Sequence, residues 1–240
     1  MNLIIDVGNT RVKSAVFKGS ELIHSEIFSY EKLVDKVNES IDKFKCTNAI
    51  ISSVSILKKN QISQIKEKIS LFILNSNAKI PFKNKYSSPK TLGVDRMALA
   101  AAAANKYPSK NVLVVDAGTC ITYDFLDKMG SYYGGAISPG ITMRYKSLNQ
   151  FTENLPLLSP KYERELIGID TNSSIHIGVV TGVINEIDSF IDKYRKKNKD
   201  LTIVLTGGDL NFLNNRLKNG IFANPNFLLE GLNKILTYNL

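Results

Sequence analysis

Leu3-Ile4-Ile5-Asp6-Val7-Gly8-Asn9 and Leu113-Val114-Val115-Asp116-Ala117-Gly118-Thr119 are the two stretches from which the fold is read. Each is a short apolar run suited to a central strand, closed by an acidic residue and a glycine turn. The segments downstream of the two runs are also alike. After the first come a strand through Val12, Ala15 and Phe17, the turn Lys18-Gly19-Ser20-Glu21 and a third strand over 22–28. After the second come a strand over 121–126, the turn Met129-Gly130-Ser131 and a third strand over 132–138. Two apolar runs ending in Asp arise easily by chance, but a repeat of the whole order does not. The pattern predicts two similar α/β lobes, each with a meandering mixed sheet.

Working outward, helical periodicity covers 30–44, 58–69, 97–105, 141–151, 172–196, 209–218 and 226–238. Further strands are expected over 49–54, 71–74, 80–82 and 201–205. The polar connector Lys106-Tyr107-Pro108-Ser109-Lys110 sets the lobe boundary, giving 1–108 and 109–240. The segment 152–170 lacks periodicity and is broken by Pro156, Pro160 and Gly168. A loop that long is either functional or a surface excursion. The alanine run 98–104 reads as close helix packing, His176 as structural, and Tyr132-Tyr133 as packing within the third strand.

Composition excludes several functions. At 240 residues with 43% hydrophobic and 22% charged, the chain can bury a core without a disulfide or structural metal. No run approaches the ~18 apolar residues of a membrane span. The first apolar run contains Asp6 and follows no basic cluster, so a signal peptide is not expected and the cytosol is the expected compartment. Cys46 and Cys120 stand far apart without CxxC spacing, and His24 and His176 are the only histidines. Thiolate and imidazole metal sites and Ser–His relays are therefore poorly supplied. Any catalysis falls to carboxylates and backbone amides. The net charge of +9 is scattered, and its densest run, 193–199, closes a helix where cations suit the dipole. With no RNP1 or zinc-finger pattern, neither nucleic acid nor membrane is expected as a partner; a polyanionic small molecule fits the positive field.

A strand ending in Asp6-Val7-Gly8-Asn9-Thr10 is a candidate phosphate site. Glycine lets the backbone approach a phosphate, and the following N–H groups form an anion-binding concavity. Asp6 beside phosphate calls for Mg²⁺, held directly or through water, and Lys13 on the next strand can meet a terminal phosphate. The competing reading is a hairpin whose Asp and Asn serve turn propensity. A second such motif, Asp116 to Thr119, would face the first across an interlobe cleft. A third glycine turn, Thr206-Gly207-Gly208-Asp209, suits close packing against an adenosine or its phosphates, or is simply a tight strand-to-helix turn. Asp95 opens a helix, where it is either an N-cap or a carboxylate that orients and deprotonates an acceptor hydroxyl.

In this order the three motifs resemble the superfamily of acetate and sugar kinases, heat-shock chaperone ATPases and actin. Within it the chain is similar to the type III pantothenate kinases. The matching segments are residues 6–13, Leu92-Gly93-Val94-Asp95-Arg96, residues 116–119, Gly134-Gly135-Ala136-Ile137-Ser138-Pro139-Gly140, Leu155-Pro156 and Thr206-Gly207-Gly208. The resemblance implies two ribonuclease H-like lobes, a duplicated actin-like ATPase fold with an interlobe cleft. It implies ATP-dependent phosphorylation of pantothenate to 4′-phosphopantothenate by a cytosolic homodimer. Asp95 then matches the catalytic base, and Gly93, Val94, Arg96 and Tyr86 match the substrate side. Thr171 falls at a substrate contact expected to reach the partner subunit's site. Asp6, Val7, Gly8, Asn9, Thr10, Arg11, Val12, Lys13, Gly118, Thr119, Gly207 and Gly208 match the ATP site, used with Mg²⁺ at Asp6. Asp116 matches a ligand of a monovalent cation, K⁺ or NH₄⁺. The chain departs from the family at Cys120, where a small Ala is more usual; a thiol fits that volume. The rival expectations are a kinase for another small hydroxyl compound and a nucleotide-switched regulatory protein.

Overall fold

In the computed structural model, which describes residues 1–8, 10–53 and 57–240, the first apolar run is β1 (Asn2–Val7), the middle strand of a five-stranded sheet. β2 (Val12–Lys18) and β3 (Glu21–Phe28) continue as an antiparallel meander. β4 (Asn48–Ser53) lies parallel to β1, and β5 (Ser70–Ile73) parallel to β4, giving the order β3-β2-β1-β4-β5. Being covered on both faces, β1 reads as a continuous apolar run rather than an alternation. On one face Leu3, Ile5 and Val7 meet Leu33, Val37 and Ile41 of α1 (Leu33–Phe44) and Ile65 of α2 (Lys59–Lys66). On the other, Ile4 and Ile50 are fully buried, and α3 (Val94–Lys106) and α8 (Phe227–Asn239) pack there. The alanine run lets α3 and α8 touch backbone to backbone: a Cβ at Gly231 would stand 1.9 Å from the Ala98 carbonyl oxygen.

The second run is β7 (Asn111–Ala117), followed by β8 (Cys120–Leu126) and β9 (Ser131–Pro139). β10 (Leu201–Thr206) is parallel to β7, and the short β11 (Phe222–Ala223) is parallel to β10. Their order, β9-β8-β7-β10-β11, repeats that of the first sheet strand for strand. The two-residue β6 (Lys83–Asn84) pairs with the start of β9. Over the second sheet lie α4 (Ile141–Gln150), α5 (Thr171–His176) and α6 (Gly182–Lys197), with α7 (Leu210–Leu213) after β10. Leu113, Val115, Ile121 and Tyr123 form a core with Val179, Val183 and Ile187.

The chain divides into two compact units: Met1–Pro108 with Gly130–Tyr133 and Asn226–Leu240, and Ser109–Met129 with Gly134–Pro225. The chain passes from the first unit to the second after Pro108, and the first unit also takes α8 and four residues of the second meander. Other elements differ in detail. The strand expected over 80–82 falls on β6 instead, and the helix over 209–218 stops at Leu213, before the weak helix formers Asn214 and Asn215. The long helix over 172–196 is interrupted by a π-helical turn, Ile177–Thr181. Neither helix nor strand occurs over 151–170, and Val54, the expected end of β4, lies outside the described residues. Tyr132 packs as expected while Tyr133 is half exposed. Among the described residues no helix is long and apolar enough to cross a membrane.

Candidate active site

Asp6 stands at the C-terminal edge of the first sheet, on one rung with Lys13 of β2 and Ser52 of β4. Burial pushes its carboxyl up to about 6; the Lys13 ammonium opposes that rise, and the Asp95 carboxylate adds to it. Asp6 thus lies within the field of a like charge, an arrangement that a cation relieves. Immediately after, the Gly8 N–H donates to the Arg11 carbonyl (3.1 Å), closing a tight turn. A Cβ at Gly8 would come within 3.2 Å of that same oxygen. Thr10 and Arg11 are exposed and Val7 and Val12 are buried, so the turn offers backbone and polar side chains above an apolar base. Asn9 lies outside the described residues.

The first turn of α3 supplies a second set. Gly93, not Asp95, is the N-cap, so the capping reading of Asp95 is corrected: Asp95 sits inside the first turn. Its Oδ1 accepts from the Arg96 backbone N–H (2.8 Å), one of the donors a helix start leaves unpaired. A Cβ at Gly93 would stand 2.3 Å from that oxygen, so glycine is what lets the carboxylate fold back. Arg96 is buried, and its guanidinium carbon lies 5.6 Å from the centre of the Tyr86 ring, a cation–π contact. Tyr86 is held in turn by its backbone N–H donating to Asn84 Oδ1 (3.0 Å) and by the Tyr132 ring. Gly93, Val94, Asp95, Arg96 and Tyr86 are therefore one local cluster, with a carboxylate next to an anchored cation.

In the second unit Asp116 is the penultimate residue of β7 as Asp6 is of β1, and it is paired with Thr122 and Thr206. Gly207 has φ +99°, and a Cβ there would strike Asp116 Oδ1 at 2.4 Å and the Ala117 carbonyl oxygen at 2.2 Å. The Asp209 N–H donates to that carbonyl (2.9 Å). The Gly207-Gly208 turn is thus pressed onto the Asp116 turn. Gly118 and Thr119 form the β7–β8 hairpin, with the Gly118 N–H on the Cys120 carbonyl and the Gly140 N–H on the Thr119 carbonyl. A Cβ at Gly140 would overlap the Gly118 carbonyl oxygen at 2.0 Å. Cys120 is a free, half-buried thiol.

Thr171 begins α5, exposed, behind a capping box in which the Asp170 N–H donates to Ser173 Oγ and the Ser173 N–H donates to Asp170 Oδ1. It borders a groove of about 670 Å³ whose lining includes Leu148, Leu155, Ile175, Val179 and Arg144. Leu166, Ile167 and Ile169, which precede it, are strongly exposed. Sequence reading missed a polar network here: Glu186 accepts from Tyr123 Oη (2.9 Å), Ser138 Oγ (3.1 Å) and Arg144 Nη2. Burial works to raise the Glu186 carboxyl, but those donors, Arg144 first, hold it below its ordinary value. Its members are scattered along the chain with no motif to announce them. His176 is structural as expected, its Nδ1 2.7 Å from Tyr145 Oη.

Among the described residues no three His, Cys, Asp or Glu side chains form a metal cluster. Asp6 and Asp116 are separate single carboxylates, a donor set that suits hydrated Mg²⁺ or a monovalent ion completed by other oxygens. The type III pantothenate kinase family profile matches residues 2–193. The chain belongs to that family. Type III pantothenate kinases from Flavobacterium johnsoniae and Christiangramia forsetii are 46% and 49% identical to it, each across 100% of this chain and 99% of the relative. That of Bacteroides fragilis is 40% identical over 100% of this chain and 98% of its own. Among solved structures, a Campylobacter jejuni protein described as a Baf family transcriptional activator superposes with TM-score 0.66 at 22% identity, covering 99% and 98% of the two chains. A glucokinase from an Antarctic psychrotroph gives TM-score 0.52 at 13% identity, covering 99% and 98%. At these identities the two structures establish the fold alone, one this chain shares with a sugar kinase.

Proposed function

We propose that the chain transfers the γ-phosphoryl group of ATP to the hydroxyl of pantothenate, giving ADP and 4′-phosphopantothenate, the first step of coenzyme A biosynthesis. The observation that carries this reading is the α3 cluster, inside the stretch that matches the family, residues 2–193: a carboxylate, Asp95, held by its own helix beside Arg96 and Tyr86. Asp95 orients the acceptor hydroxyl and takes its proton as the oxygen–phosphorus bond forms. The bond from phosphorus to the ADP oxygen breaks, and its electron pair leaves with ADP. Arg96 offers a planar fork to the pantothenate carboxylate, with Gly93, Val94 and Tyr86 beside it. Residues 6–13, Gly118, Thr119, Gly207 and Gly208 are assigned to ATP. Mg²⁺ at Asp6, when bound, neutralises charge developing on the phosphoryl oxygens. Asp116 is assigned a monovalent cation, K⁺ or NH₄⁺. A homodimer accounts for the exposed Leu166, Ile167 and Ile169, with Thr171 serving the partner's substrate site. The proposed setting is cytoplasmic.

The test is ADP release with and without pantothenate, in K⁺ and in Na⁺ buffers, with ³¹P NMR of the product. Release should require pantothenate and K⁺ or NH₄⁺. Asp95→Asn keeps the side chain's size and its hydrogen-bond acceptor but has no basic carboxylate, so turnover should fall about 10²–10⁴-fold with ATP binding retained. Pantothenate-independent hydrolysis would favour a nucleotide-switched regulator. Near-normal turnover of Asp95→Asn would remove it as the base.

A further inference from the structure

Ser52 is fully buried, and among the described residues its Oγ has no hydrogen-bond partner. A buried hydroxyl in that condition destabilises the fold, since it has left water without recovering a hydrogen bond. It is also closely placed. In the parallel pairing of β1 and β4, Ser52 stands on the rung of Asp6. Side chains on one rung share a sheet face, and the strands are about 4.8 Å apart. That face is the one opposite α1 and α2, because Leu3, Ile5, Val7, Ala49 and Ile51 point to those helices. α3, which carries Asp95, packs against β4 there. The serine hydroxyl has three staggered χ1 positions to choose from, and the carboxylate on its own rung of the adjacent strand is Asp6.

The internal repeat gives independent support. In the second sheet the rung of Asp116 holds Thr206 in the same parallel pairing, again a buried hydroxyl beside the acid near the end of the central strand. The opposite neighbours on those rungs differ, Lys13 in one and Thr122 in the other. Only the hydroxyl on the parallel side recurs.

We infer that Ser52 is a positioning residue for the metal–nucleotide step: when the Mg²⁺–nucleotide group is bound, its hydroxyl, unpaired in the ligand-free structure, turns to donate to the Asp6 carboxylate and fixes which oxygen is presented to that group. The inference rests on the assignment of Asp6 to that group. It explains why an unpaired hydroxyl persists at a site where alanine would pack without penalty.

The experiment is calorimetric titration of ADP, with and without Mg²⁺, into the full chain, Ser52→Ala and Asp6→Asn, alongside thermal melting of each free protein. In Ser52→Ala the affinity gained from Mg²⁺ should fall about tenfold, the loss of one hydrogen bond to a charged group. Its Mg²⁺-free affinity should be unchanged and its Tm equal or higher. A full Mg²⁺ gain in Ser52→Ala, with the gain lost in Asp6→Asn, would overturn the role of Ser52 alone. So would a lower Tm with binding weakened equally in both conditions, the mark of a purely structural serine. A full Mg²⁺ gain in Asp6→Asn would overturn the Asp6 assignment, and the role of Ser52 with it.

Discussion

A carboxylate at Asp6 ionises at a cost. Its pKa of about 6 lies above the unfolded value of 3.8, so between those limits the unfolded chain gives up its proton first. Stability from this group is complete below about pH 4, is lost as pH rises through 6, and is flat beyond. The loss is at most about 3 kcal/mol. The ligand-free Asp6→Asn protein should therefore melt several degrees above the parent at pH 8, with the difference vanishing near pH 4. A pH-independent offset would show that Asp6 titrates as an exposed carboxyl. The same substitution is expected to weaken Mg²⁺-dependent nucleotide binding, a trade of function against stability. Asp95 illustrates what sequence can and cannot give at this scale. Its place at the start of a helix was legible, but not that Gly93 caps the helix and leaves Asp95 free to turn its carboxylate onto the next N–H. Ser52 was illegible, since one serine in an apolar strand carries no periodic signal and its neighbour across the ladder is set by register.

Among the elements, the α3–α8 crossing leaves little room for change. A Cβ at Gly231 would stand only 1.9 Å from the Ala98 carbonyl oxygen, so Gly231→Ala must separate two backbones. A cost of about 1–3 kcal/mol is expected. Gly220→Ala, where a Cβ meets nothing within 4 Å, serves as the control in denaturant unfolding. Equal stability of the two variants would show that the crossing yields easily. The strands and hairpins of both meanders were readable because apolar runs and glycine turns are local signals. The π-helical turn and the two-residue β11 were not, since each depends on packing rather than pattern. Periodicity marks α8 as a helix with a buried side. It holds no information on what is buried against that side, so the final helix, expected in the second lobe, belongs to the first unit.

At the scale of the whole molecule, the first unit is discontinuous in sequence. The helix that covers the Ala98–Ala103 stripe lies more than a hundred residues beyond it, while the second unit is nearly continuous from Ser109 to Pro225. During synthesis the consequence is one of timing. At 5–20 residues per second, about 6–24 s separate emergence of residue 108 from that of residue 226. For that interval the first sheet has its strands and α3, but the face that α8 completes is only partly covered. A released chain truncated after Pro225 should be protease-sensitive over 1–108 while 109–225 resists cleavage; uniform resistance would show that β1 and β4 hold without α8. The half made first would then become native second, and a ribosome-associated chaperone would find its substrate in a helix face rich in alanine.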